Sequence, residues 1–242
     1  MLSPHREALL QRAARCFDEV AGKTRLLDSI QWPQTTEQAF FQAGAEQLPC
    51  PEYRIDTTTA QANIRLLDDL MRILDSHDPL GAYLRALASS YRDANEMLLS
   101  VGTKRFYELS LLQYGGALSL TFNEHTTNLD LAIHLGSRLG HTLRRGGDAS
   151  LTAEEFARAI ERKLAELQPG LDVKVVLDET LAPKVIAGAR RVRVRSGAIF
   201  SPMEVESLFA HEIETHALTA QNGMQQRHLP FLRAGGPRTT RT

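Results

Sequence analysis

"SPMEVESLFAHEIETHALTAQNG", residues Ser201 to Gly223, reads as one long helix. Ser201 fits an N-cap, Pro202 the first helical position, and Glu204 completes a capping box, while Asn222-Gly223 offers a stop. Inside it, His211 and His216 lie five residues apart, with Glu212 directly after the first. A helix of the H-E-x-x-H kind binds zinc with histidines four apart on one face and uses the glutamate as base. In a regular α-helix, residues five apart point about 140° away from one another. The spacing therefore predicts one of two things. Either a single wider turn, a π-bulge around Ala210 to His216, brings both imidazoles to one ion with Glu212 beside it, or the segment is a solvated helix face that happens to carry two histidines. The flanks "SLFA", Ile213, Ala217 and Leu218 are apolar, and a His-Glu pair buried among such residues needs a partner. Bound zinc would acidify a water and polarise a scissile carbonyl, with Glu212 taking the proton. Glu214 could also reach a metal.

Upstream of this helix the texture is β. "LDVKVVLDE" is short, β-branched and bounded by turn residues, and "RRVRVRSG" alternates strictly. Strand, link and metal helix is the order of many zinc peptidases, in which an edge strand can hold an extended peptide by β-augmentation. "RRVRVRSG" is a candidate for that edge. Its Arg191, Arg193 and Arg195 form either an exposed polar face or a place for a substrate carboxylate.

The first two-thirds of the chain read as helices: about 4–21, a stretch from Thr58, another after "SHDP", then "GTKRFYELSLLQYGG" and "TTNLDLAIHLGSRLG". Trp32 to Tyr53 holds three prolines and reads as an irregular connection with room for a short helix. Thr152 and Glu155 form a capping box before Phe156, Ile160, Leu164 and Leu167. The expected fold is α+β: a mostly helical body with a small sheet packed beside a zincin-like H-E-x-x-x-H helix. One domain over 1–242 is expected, helical over 1–169 and strand-strand-helix over 170–242.

Hydrophobic residues at 43% and charged residues at 24% are a globular composition. A net charge of −1 without charge runs gives no reason to expect nucleic acid or an anionic membrane as partner. No run approaches the roughly 18 apolar residues of a membrane span. Cys16 and Cys50 lack C-x-x-C spacing, which suits a reducing cytoplasm and excludes a thiolate zinc site. The charged N-terminus "MLSPHREALLQRAARCFDEV" has no apolar core of a secretory signal.

Three segments together resemble a known family. "HEIETHALTAQNG", its lead-in "GAIFSPMEVESLFA", and "VGTKRFYELSLLQYGG", which fits G-T-x-x-F-x-x-x-S-x-x-x-Y-G, are similar to zinc metallopeptidases named for a Q-E-G-L-A motif. That family is related to the eukaryotic carboxypeptidases that trim the C-terminal tyrosine of α-tubulin. The resemblance runs from about residue 60 to the end and is strongest after Gly170. It implies a carboxypeptidase acting on a peptide or protein C-terminus, with His211 and His216 as zinc ligands and Glu212 as base. Tubulin itself is not a safe transfer. The family's third ligand is the glutamate of Q-E-G-L-A, which this sequence lacks; its ending "AGGPRTTRT" resembles the stretch before that motif. The expectation is a chain that ends short of its third ligand, holds zinc weakly or not at all, and is inactive. The alternative is a non-enzymatic binding or regulatory module that keeps the peptidase fold. His228 either stands in as a ligand or is a loop histidine. Arg238 and Arg241 either line the site or belong to an unanchored tail. His125, His134 and His141 lack a nearby acid at ligand spacing and read as structural or surface residues.

Overall fold

The computed structural model describes residues 3–24, 26–121, 125–139, 150–167, 171–181, 183–226 and 229–233. His141, His228 and the tail with Arg238 and Arg241 lie outside them.

Helices begin where a side chain can satisfy their first amides. Ser3 caps α1 (Pro4–Lys23), Asp56 caps α4 (Thr57–Ile73) and Asp78 caps α5 (Pro79–Leu99). Between α1 and α4 run the short α2 (Leu26–Ile30) and α3 (Gln34–Gln42), the latter inside the stretch expected to be irregular. After α5 come α6 (Lys104–Tyr114) and α7 (Asn128–Leu139). Gly115 closes α6 at φ +76°, a conformation that costs a residue with a Cβ far more. Leu10, Phe17 and Val20 of α1 meet Leu67 and Leu70 of α4, Leu84 and Tyr91 of α5, and Phe231 in the 3-10 turn Pro230–Arg233. Beside this core, Asn63 and Asn95, each 1% exposed, satisfy one another and Thr24 by hydrogen bonds.

By internal contacts the chain forms two compact units, Met1–His134 with His228–Thr242, and Leu135–Arg227. The second opens with α8 (Ala153–Leu167), started by the expected box: Thr152 donates its amide to Glu155 at 2.8 Å, and Glu155 returns its own to Thr152 Oγ1 at 3.2 Å. Three strands follow, β1 (Lys174–Asp178), β2 (Val185–Gly188) and β3 (Arg191–Arg195), in the order β1-β3-β2. β3 runs parallel to β1 and antiparallel to β2. The fold is α+β, as the sequence predicts.

Two strand expectations need correction. "RRVRVRSG" is the central strand, not an edge. Its alternation reports one buried and one polar face: Val192 and Val194 are fully buried, and Arg193 pairs with Asp178 at 3.3 Å. Alternation says nothing about how many neighbours a strand has. The true edge near the motif helix is β2, whose four-residue "VIAG" is too short to announce itself and shows no alternation.

The motif helix begins as α9 (Pro202–Leu208), with the Ser201–Glu204 box formed in both directions. It continues as a π-helix over Phe209–Ala217 and ends as α10 (Leu218–Met224). Gly223 does not stop it; Gly223 is buried inside α10, and Gln225 is the cap. The core of this unit joins Phe156 and Ile160 of α8, Val192 and Val194 of β3, Phe200, Phe209 and Ile213. Phe156 and Phe200 stack at 3.9 Å between ring centroids, with both rings fully buried. Phe156→Ala should therefore lower the unfolding free energy by ~3–5 kcal/mol. Chemical denaturation followed by circular dichroism measures it, and an unchanged midpoint would contradict this packing.

Candidate active site

A π-helix closes its turns with i to i+5 hydrogen bonds, so the residue five positions on sits one turn above. Leu218 donates its amide to the Ile213 carbonyl, and Thr215 Oγ1 donates to the Ala210 carbonyl at 3.0 Å, both five residues back. The widening covers the segment that the histidine spacing singles out. Its effect is to bring the two imidazoles together: the His211 and His216 ring centroids are 4.9 Å apart, with the rings at 89°. Two imidazoles on one tetrahedral zinc, each nitrogen about 2.0–2.1 Å from the metal, place their ring centres roughly 5 Å apart. A pair at this separation could hold one ion between them, and both imidazoles lie on the exposed side of the helix.

Glu212 lies lower than the histidines. Its side chain is 14% exposed against 64% for His211. One oxygen, Oε2, accepts the Ala187 amide of β2 at 2.9 Å. The other, Oε1, faces His211 Nε2 at 4.0 Å. The strand register explains why this amide is free to bind. Arg195 donates its amide to the Lys184 carbonyl at 2.8 Å, so Lys184, Ile186 and Gly188 exchange ladder bonds with β3. Val185 and Ala187 then turn their amides and carbonyls to the open edge. Glu212 takes one of these outward groups.

Three groups hold the segment in place, and sequence reading missed all of them. Gln221, buried in α10, donates to the carbonyls of Asp172 at 3.1 Å and Ala189 at 2.7 Å. Lys184, just before β2, donates to the Ile199 carbonyl at 2.9 Å and to Glu204 at 2.6 Å. The Ala187 amide is the third, and no side-chain pattern could reveal it. Glu214 is exposed, and among the described residues no group of three or more His, Cys, Asp or Glu stands together as a metal site. His125 and His134 belong to the first unit.

The model of one protein family, described as microtubule-associated tyrosine carboxypeptidase, matches residues 38–242. The chain belongs to this family. The match covers α6, with its G-T-x-x-F segment, and the whole motif helix, so the resemblance read from those segments is borne out. Neither the curated proteins nor the solved structures compared with the chain gave a match. Among the described residues, no helix is long and apolar enough to cross a membrane.

Glu204 offers a pH test of how the motif helix is anchored. Burial pushes its carboxyl up, but the hydrogen bond and charge of Lys184 and the Ser201 amide outweigh this and hold it below its ordinary value. A carboxyl depressed on folding stabilises the protein above the unfolded value of about 4.3, and that contribution is lost as pH falls through the folded value. Glu204→Gln should thus lower stability at neutral pH, and the gap to the parent should close in acid. Urea titrations across that range measure it; a gap that widens in acid would contradict the assignment.

Proposed function

We propose that this chain is a zinc-dependent peptidase of the carboxypeptidase type, acting on a peptide or protein C-terminus. The observation that carries the reading is the divided Glu212 carboxylate. One oxygen is fixed by the Ala187 amide, and the other is free beside the converging imidazoles. A general base needs this combination of fixed orientation and an accessible lone pair.

His211 and His216 would hold the ion, which when bound supplies a polarising charge and an acidified water. Glu212 Oε1 accepts the proton from the attacking water and passes it to the leaving amine. The Ala187 amide keeps the carboxylate from rotating away and is not itself consumed. An extended substrate would lie along β2, where the Val185 amide and carbonyl and the Ala187 carbonyl face the open edge. The third metal ligand is unassigned among the described residues. The family match crosses both compact units, which supports one metallopeptidase-like domain built from the two. Two free cysteines support a cytoplasmic setting.

Glu212→Gln should keep folding and zinc content while turnover of a peptide substrate falls by at least about a hundredfold. Zinc content should fall in His211→Ala and His216→Ala. Parent-like turnover in Glu212→Gln would remove Glu212 as the base. Zinc content unchanged in both histidine variants would remove the site.

A further inference from the structure

The sheet has a second open edge, on the far side from β2. Among the described residues, β1 pairs only with β3. Lys174 donates its amide to the Arg190 carbonyl, and Ser196 donates to the Asp178 carbonyl, each at 3.0 Å. In a parallel ladder alternate residues face the neighbour, so Lys174, Val176 and Asp178 bond to β3 while Val175 and Leu177 turn their amides and carbonyls outward. No described residue bonds these outward groups. A groove of about 490 Å³ opens between α8 and β1, walled by Leu164, Ala165, Leu171, Val173 and Val175. Leu177 beside it is 44% exposed. An open edge with apolar side chains is a template for another strand.

The sequence of β1, "KVVLD", selects that strand. Laid antiparallel on itself about Val176, it sets Lys174 opposite Asp178 of the second copy, and Val175 opposite Leu177. The Val175–Leu177 pair joins residues whose amides and carbonyls both face outward, as a hydrogen-bonded antiparallel pair requires. A shift of one residue sets outward groups against ones already bonded to β3. A shift of two sets Asp172 against Asp178, or leaves Lys174 opposite Thr180. Charge and hydrogen-bond parity therefore choose the same register. Lys174 is exposed and has no ion-pair partner among the described residues. We propose that two copies of this chain join through their β1 strands, antiparallel and centred on Val176, into one continuous sheet. The contact is two-fold symmetric, and each side offers the same residues. Val175 and Leu177 of each copy lie over the apolar face of the other, and the edge that would invite aggregation is closed.

Sedimentation equilibrium on the full 242-residue chain tests this, with folding of every variant checked by circular dichroism. The parent should show a concentration-dependent dimer. Lys174→Asp and Asp178→Lys should each raise the dimer dissociation constant by at least about tenfold, because symmetry makes each substitution act twice. Mixing the two variants should restore a dimer, since each then meets its complement. Val175→Pro removes an outward amide that β3 does not use, and it should give a folded monomer. If Asp178→Lys fails to fold for want of its bonds to Thr180 and Arg193, Lys174→Asp and Val175→Pro decide the matter. A parent that stays monomeric at every concentration overturns the proposal, including one whose Val175 and Leu177 amides resist hydrogen exchange because another segment covers them. So does a dimer that neither Lys174→Asp nor Val175→Pro weakens.

Discussion

Every fourth residue from Val205 to Gln221 is buried: Val205, Phe209, Ile213, Ala217 and Gln221, none more than 8% exposed. An α-helix repeats every 3.6 residues, so a stripe of period four drifts about 40° around the axis at each step. Over four steps a regular helix would carry the last of these residues far from the core that holds the first. The π-helical turn takes up that drift. The same widening that keeps Ile213 in the core with the strands and Ala217 buried also brings His211 and His216 to one side. Packing and the placement of the two imidazoles thus impose a single constraint on the backbone. The wide turn costs helix regularity, and the burial of this stripe offsets it.

The rest of the site follows from where that helix rests. Its position against β2 puts Glu212 level with an amide that the antiparallel register leaves unpaired. A carboxylate there meets the sheet edge with one oxygen and His211 with the other. The two ends of the helix are fixed separately. Lys184 and the Ser201–Glu204 box hold the start, and Gln221 holds the finish through two backbone carbonyls. All of these contacts lie within the second compact unit.

Much of this was legible in the sequence, for reasons that differ between elements. The helix starts at Thr152 and Ser201 are legible in cap chemistry, which is local, and Ser3, Asp56 and Asp78 carry the same signal, which sequence reading passed over. The five-residue histidine spacing forecast the wide turn, and the four-residue burial stripe is a second signal for it that sequence reading passed over. β3 was legible as a strand because Val192 and Val194 alternate with arginines, but its central place was not, since pairing partners are non-local. β2 was missed because four residues ending in Ala-Gly carry too little pattern. The Ala187 amide could not have been found at all, because a backbone donor has no side-chain signature. Gln221, a lone polar residue on the buried stripe, was the one anchor that the pattern could have exposed.

The central claim is that the widened helix gathers two imidazoles around one metal ion, with Glu212 beside it and unligated. Anomalous diffraction at the zinc edge, on crystals of the zinc-loaded protein, tests this most directly. The account predicts a single strong peak within bonding distance of both His211 and His216, with the Glu212 carboxylate still held by the Ala187 amide. A peak bound to neither histidine, or one ligated by Glu212 with its bond to Ala187 broken, would contradict it.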